Sequence, residues 1–135
     1  GRMGVSMTLA APKGYEFDEE FLGLLAREVP GHDVTIESDP VAAVATADVI
    51  YTDVWASMGQ ESEKSEREAA FSGYQVDGAL LSQAPEGCCF MHDLPARRGL
   101  EVSDEVIDGP QSVVFQQAEN RMHLAKGLLV WLLGD

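Results

Sequence analysis

The hydrophobic pattern of this chain switches between two periods. Residues 5–10 alternate, are rich in apolar side chains and run into Ala11-Pro12-Lys13-Gly14, which predicts a strand followed by a turn. Asp18 then precedes a segment carrying Phe21, Leu22, Leu24, Leu25 and Val29, closed by Pro30-Gly31, as a capped amphipathic helix would be. The unit recurs: residues 33–37 predict a second strand, Asp39-Pro40 starts a short Ala-rich helix, and residues 48–52 predict a third strand. A charged helix over 63–71, a continuous apolar strand over 87–92 and a further strand over 112–115 follow. In the last element, Ala118, Met122, Ala125, Leu129 and Leu132 follow a 4,3,4,3 spacing, with Leu124, Leu128 and Trp131 on the adjoining face. That stripe predicts a helix packed as core against the sheet. Repeated strand and helix units imply an α/β fold with a largely parallel sheet and helical crossovers.

Composition narrows the partners. At 135 residues the chain is one domain, of a size that buries roughly two-thirds of the surface its unfolded form exposes. Nine basic against 23 acidic residues give a formal charge of −14, which argues against nucleic acid or an anionic membrane, since both need basic patches. The acidity reads as a solvated surface, with adaptation to high salt as the alternative. Cys88 and Cys89 are adjacent within an apolar run, so they are expected as buried thiols of a reducing compartment. No stretch reaches the ~18 apolar residues of a membrane span and no basic leader precedes a cleavage site, so a soluble, intracellular protein is expected.

Candidate chemistry collects at strand ends. Asp53 and Ser57 directly follow the third predicted strand, and in open α/β sheets ligands sit beyond the carboxyl ends of strands. By residue type alone Asp53 is a turn or cap residue or the partner of an ammonium group, and Met58 is packing. His92-Asp93-Leu94-Pro95 follows the fourth strand, where Pro95 should hold Leu94 extended and His92 reads as a hydrogen-bonded structural histidine or a base. Arg121 is placed in the first turn of the last helix, suited to an anion or a polarised carbonyl, or else to a salt bridge with Glu119 or with a neighbouring lobe. Residues 61–68 read as a solvated helix face without chemistry. Histidines 32, 92 and 123 have no paired ligand spacing, and neither a phosphate-binding glycine loop nor a nucleophile elbow is present.

Three segments carry a family resemblance. Thr52-Asp53-Val54-Trp55-Ala56-Ser57-Met58-Gly59-Gln60-Glu61 resembles the SMG loop of ornithine carbamoyltransferases. His92-Asp93-Leu94-Pro95 is similar to that family's HCLP motif with its cysteine replaced, and Gln117-Ala118-Glu119-Asn120-Arg121 to its closing AENR motif. The resemblance implies a Rossmann-like three-layer domain, the ornithine-binding one, lacking its first strand and helix, and lacking the carbamoyl phosphate lobe with its Ser-Thr-Arg-Thr motif. It implies that Asp53 binds the α-amino group of ornithine while Ser57 and Met58 close over the amino acid. Asp93 would stand where a cysteine contacts the δ-amino group. Main chain around Leu94, together with Arg121, would contact carbamoyl phosphate. The implied reaction makes citrulline and phosphate, without cofactor or metal, in a cytoplasmic (or organelle-matrix) homotrimer of arginine biosynthesis. A truncated, non-catalytic amino-acid-binding or subunit-pairing module is the alternative.

Overall fold

A computed structural model describes residues 3–56, 59 and 61–134, with the backbone alone for Glu61. The chain runs β1 (Met7–Ala10), α1 (Glu19–Glu28), β2 (Val34–Glu37), α2 (Pro40–Val44), β3 (Val49–Thr52), a 3-10 turn (Glu61–Glu63), α3 (Lys64–Ala70), α4 (Gly78–Leu81), β4 (Cys89–His92), α5 (Asp104–Ile107) and α6 (Val114–Leu133). The predicted caps are present. The Phe21 N–H donates to the Asp18 carboxylate at 2.6 Å, and Val41 N–H to Asp39 at 2.9 Å with Pro40 opening α2. Each satisfies one of the backbone donors that a helix start leaves orphaned. Asp77 does the same for α4 through Leu80 N–H at 2.8 Å.

Among the described residues all strand pairing is parallel, as the strand and helix alternation requires, but the strands form two pairs rather than one sheet. β1 runs beside β2 from Met7↔Val34 to Ala10↔Glu37, and β3 beside β4 from Val49↔Cys89 to Thr52↔His92. The strand expected over 112–115 is not one. Ser112 makes a single bridge to Phe90, flanked by bonds from Phe90 N–H to Gln111 and from Val113 N–H to Phe90, and α6 begins at Val114. An apolar run this short has no period that separates strand from helix, and here it leads into the first turn of the helix, where Val114 is buried and Phe115 exposed.

The core surrounds the second pair. Phe90, Val102 and Val114 are fully buried, and Val76, Val106 and Ile107 nearly so, between α2, α4, α5 and the start of α6. The core stripe expected along α6 is not buried: Met122, Leu129 and Leu132 are exposed, as are Leu124 and Trp131. Length explains this. Twenty residues of helix span about 30 Å, whereas four-residue strands cover about 13 Å, so α6 outruns the sheet it starts on. Among the described residues no helix is long and apolar enough to cross a membrane.

Candidate functional site

Because β3 and β4 are parallel and Thr52 is opposite His92, Asp53 and Asp93 emerge side by side at the carboxyl edge of that pair. One polar side-chain atom from each of Asp53, His92 and Asp93 lies within 4.8 Å of the other two. Asp53 is exposed and its Oδ1 accepts the Val54 N–H at 2.6 Å. Ser57 and Met58, expected beside it, lie outside the described residues.

His92 is fully buried, and its hydrogen bonds define its state. Leu94 N–H donates to Nδ1 at 2.9 Å, so Nδ1 presents its lone pair and the proton resides on Nε2, which donates to Glu101 Oε1 at 3.2 Å. Glu101, also fully buried, accepts the Arg97 N–H at 2.5 Å through the same oxygen, while its Oε2 has no hydrogen-bond partner among the described residues. His92 is thus the hydrogen-bonded structural residue of the two readings offered above, and with its only lone pair committed it is ill-suited to ligate a metal with its two neighbouring carboxylates.

The bond to His92 also overturns an expectation for Leu94. Pro95 was expected to hold it extended, but Leu94 has φ +57°, in the left-handed region, before a cis peptide bond to Pro95. A leucine there costs on the order of 1–3 kcal/mol and persists only where its surroundings hold it; the Leu94 N–H on His92 Nδ1 is one such hold.

Asp93 is left with an unmet acceptor. Its Oδ1 is buried and 3.4 Å from His92 Nδ1, yet faces a lone pair rather than a proton, and it has no hydrogen-bond partner among the described residues. A buried acceptor in this condition calls for a donor from elsewhere. The Asp93 carbonyl, by contrast, is held by Arg121 Nη1 at 3.0 Å. Arg121 is not in the first turn of α6, which starts at Val114, so the helix dipole has little influence on it. It does not pair with Glu119 either, which lies 3.4 Å from His123 instead.

Besides Glu101, two residues join this site that sequence reasoning missed. Gln117 Oε1 accepts the His92 N–H at 3.1 Å, tying α6 to the end of β4. Tyr51 is pushed above the ordinary phenol range, first by partial burial and then by the negative charges of Asp93 and Asp53, with Gln117 and Arg121 opposing. Gln117 stood within a recognised motif, and Tyr51 was legible only as a strand residue. Glu101 carried no local signal at all. Away from the site, Cys88 is buried and Cys89 half-buried, both as free thiols, and burial raises the Cys88 pKa.

A family model described as aspartate/ornithine carbamoyltransferase, Asp/Orn binding domain, matches residues 1–132. An ornithine carbamoyltransferase of Methanobrevibacter smithii is 49% identical over 133 residues, covering 97% of this chain and 44% of the relative. A catabolic ornithine carbamoyltransferase of Thermoplasma acidophilum is 51% identical over 134 residues, with the same coverage of 97% and 44%. The solved ornithine carbamoyltransferase of Pyrococcus furiosus superposes with a TM-score of 0.82 at 49% identity, over 96% of this chain and 42% of that one. The chain therefore spans less than half the length of the relatives it matches.

Proposed function

We propose, for a chain that belongs to the aspartate/ornithine carbamoyltransferase family as its Asp/Orn binding domain, that it is the ornithine-binding part of an enzyme transferring a carbamoyl group from carbamoyl phosphate to the δ-amine of L-ornithine. The observation that carries this reading is the pair of carboxylates at adjacent strand ends, one of them with a buried oxygen lacking a donor. An amino acid with two ammonium groups supplies donors of the right charge, and charge-assisted bonds of this kind are the strong ones. Asp53 takes the α-ammonium and Asp93 faces the δ-nitrogen. With the Leu94 N–H committed to His92, the main-chain group it can offer is its carbonyl, an acceptor for the carbamoyl NH2. Arg121 retains N–H groups beyond the one on Asp93, directed at carbamoyl phosphate and at the oxyanion formed on attack.

The δ-ammonium first loses a proton. Its nitrogen lone pair then forms a bond to the carbonyl carbon, the carbon to phosphate-oxygen bond breaks with its electrons on the leaving phosphate, and the new amide nitrogen loses a second proton to give citrulline. An amine of lysine type has a pKa near ~10.4, so the first step requires an environment that tolerates the neutral form. Asp93 works against this, because a carboxylate stabilises the ammonium. Beyond the contacts from Leu94 and Arg121, the holding of carbamoyl phosphate is assigned to the part of the relatives that this chain does not span. Cytoplasmic location, a homotrimer and arginine biosynthesis complete the reading on the strength of the family resemblance.

The test is to join the full chain to the remaining segment of a relative and assay citrulline from ornithine and carbamoyl phosphate, with ornithine binding followed by calorimetry. Saturable citrulline formation and ornithine binding are expected. A folded chimera that binds no ornithine overturns the proposal.

A further inference from the structure

Helix α3 was expected to be a solvated face, yet its one arginine is not free. The Arg67 side chain is only 21% exposed, and its Nε and Nη2 lie 3.0 and 2.9 Å from Glu63 Oε2. Its Nη1 approaches the Trp55 carbonyl at 3.5 Å and its guanidinium lies 5.3 Å from the centre of the Tyr15 ring. One turn on, Phe71 stacks on Trp55 at 5.9 Å and meets Tyr15 edge-on at 4.9 Å. Tyr74 packs on Phe71 at 5.7 Å and donates its hydroxyl to the Ser38 carbonyl at 2.6 Å.

The partners of this hub share a property. Tyr15 follows β1, Ser38 follows β2 and Trp55 follows β3, so it grips the loops at the carboxyl ends of three strands, both of the first pair and one of the second. Those pairs share no hydrogen-bonded ladder among the described residues, and the hub is a bridge between them. Trp55 is two residues beyond Asp53, whose own side chain, among the described residues, is hydrogen-bonded to the neighbouring Val54 N–H. The direction in which Asp53 points is therefore set by the backbone that Arg67 and Phe71 hold.

We infer that Arg67 is a positioning residue for the amino-acid site: by gripping Trp55 and Glu63 against Tyr15 it fixes the Asp53 segment for an ammonium ligand. A planar fork suits this task, because it addresses several acceptors and a ring face at once, whereas a lysine ammonium addresses one point. The inference rests on the ornithine reading above.

In the chimera of the full chain with a relative's remaining segment, Arg67→Gln should raise both the ornithine Kd and its KM by at least about tenfold. Turnover should change less than about threefold, with the carbamoyl phosphate KM unmoved, the pattern of lost ground-state binding. Arg67→Lys should recover part of the loss. Glu63→Gln and Tyr15→Leu, which each remove one anchor and keep the arginine, should give smaller rises in the same constant and decide the matter if Arg67→Gln does not fold. A merely structural role would lower the melting temperature while leaving ornithine affinity unchanged in the folded variants. That result in Arg67→Gln, or in both anchor variants, overturns the inference. An unsubstituted chimera that binds no ornithine refutes the functional reading first, and this inference falls with it.

Discussion

On one face of β3 and β4 the packing is tight enough that Phe90, Val102 and Val114 expose nothing, whereas beside β1 and β2 Met7 and Ile36 stay 45% and 42% exposed and no residue of α1 is fully buried. The two pairs have the same parallel pairing and the same strand length. The difference is in what covers them: α2, α4, α5 and the first turn of α6 gather around the second pair. Parallel strands are ordinarily covered on both faces; in the first pair no strand residue is fully buried, and the second pair is covered on one face, with Val49 and Tyr51 of β3 still 46% and 55% exposed. The candidate site stands there too. Side chains that must be held to a fraction of an ångström are best carried by elements whose own rotamers are locked by packing.

The largest effect that would break this contrast is functional. The purified 135-residue chain alone is expected to make no citrulline, since bringing two reactants together in the right geometry is worth up to ~11 kcal/mol of barrier. A citrulline assay with saturating substrates checks this. Next comes packing. Phe90→Ala should cost about 3–5 kcal/mol in denaturant unfolding, while Ile36→Ala and Leu128→Ala should cost far less, on the order of 1 kcal/mol or below, because little apolar area is lost from the folded state. Equal costs in the two regions would remove the distinction.

The third prediction is confined to the site. Asp93→Cys in the chimera should raise turnover by about tenfold, equivalent to ~1.4 kcal/mol of barrier, with a smaller change in ornithine affinity. Removing the carboxylate lets the δ-nitrogen lose its proton more readily. If the Asp93 chimera is already as fast as its cysteine variant from neutral to alkaline pH, the charge at this position does not govern the chemistry.

The smallest effect is electrostatic, at the exposed Arg98–Asp108 pair, where Asp108 is held below the ordinary carboxylate range chiefly by its hydrogen bonds to Arg98. A carboxylate with a depressed folded-state pKa adds stability above its unfolded pKa and loses it as pH falls through the folded value. Asp108→Asn should therefore lower the melting temperature slightly at neutral pH, with the difference from the unsubstituted chain vanishing in acid. Exposed pairs contribute little, so a shift that persists at low pH would point to something other than this ion pair.

Much of the scaffold was legible because its signals are local. Asp18 capping α1, Asp39-Pro40 opening α2 and the apolar runs of β1 to β4 depend on neighbours within about one helical turn or on strand alternation. The motifs at Asp53, at His92 to Pro95 and at Arg121 were likewise legible as strings, and they identified the family. What the string could not show is which groups meet. Glu101 reaches His92 from nine residues away, Arg67 reaches Trp55 from twelve, and Arg121 reaches the Asp93 carbonyl from 28. Each of these contacts follows from register, from where α6 starts, or from a backbone turned into a left-handed conformation at Leu94, and none of these is set by residue type. The fate of the α6 stripe was decided in the same way: its spacing specifies an apolar helix, but burial depends on whether another element lies beside it, and the four-residue strands end long before the helix does.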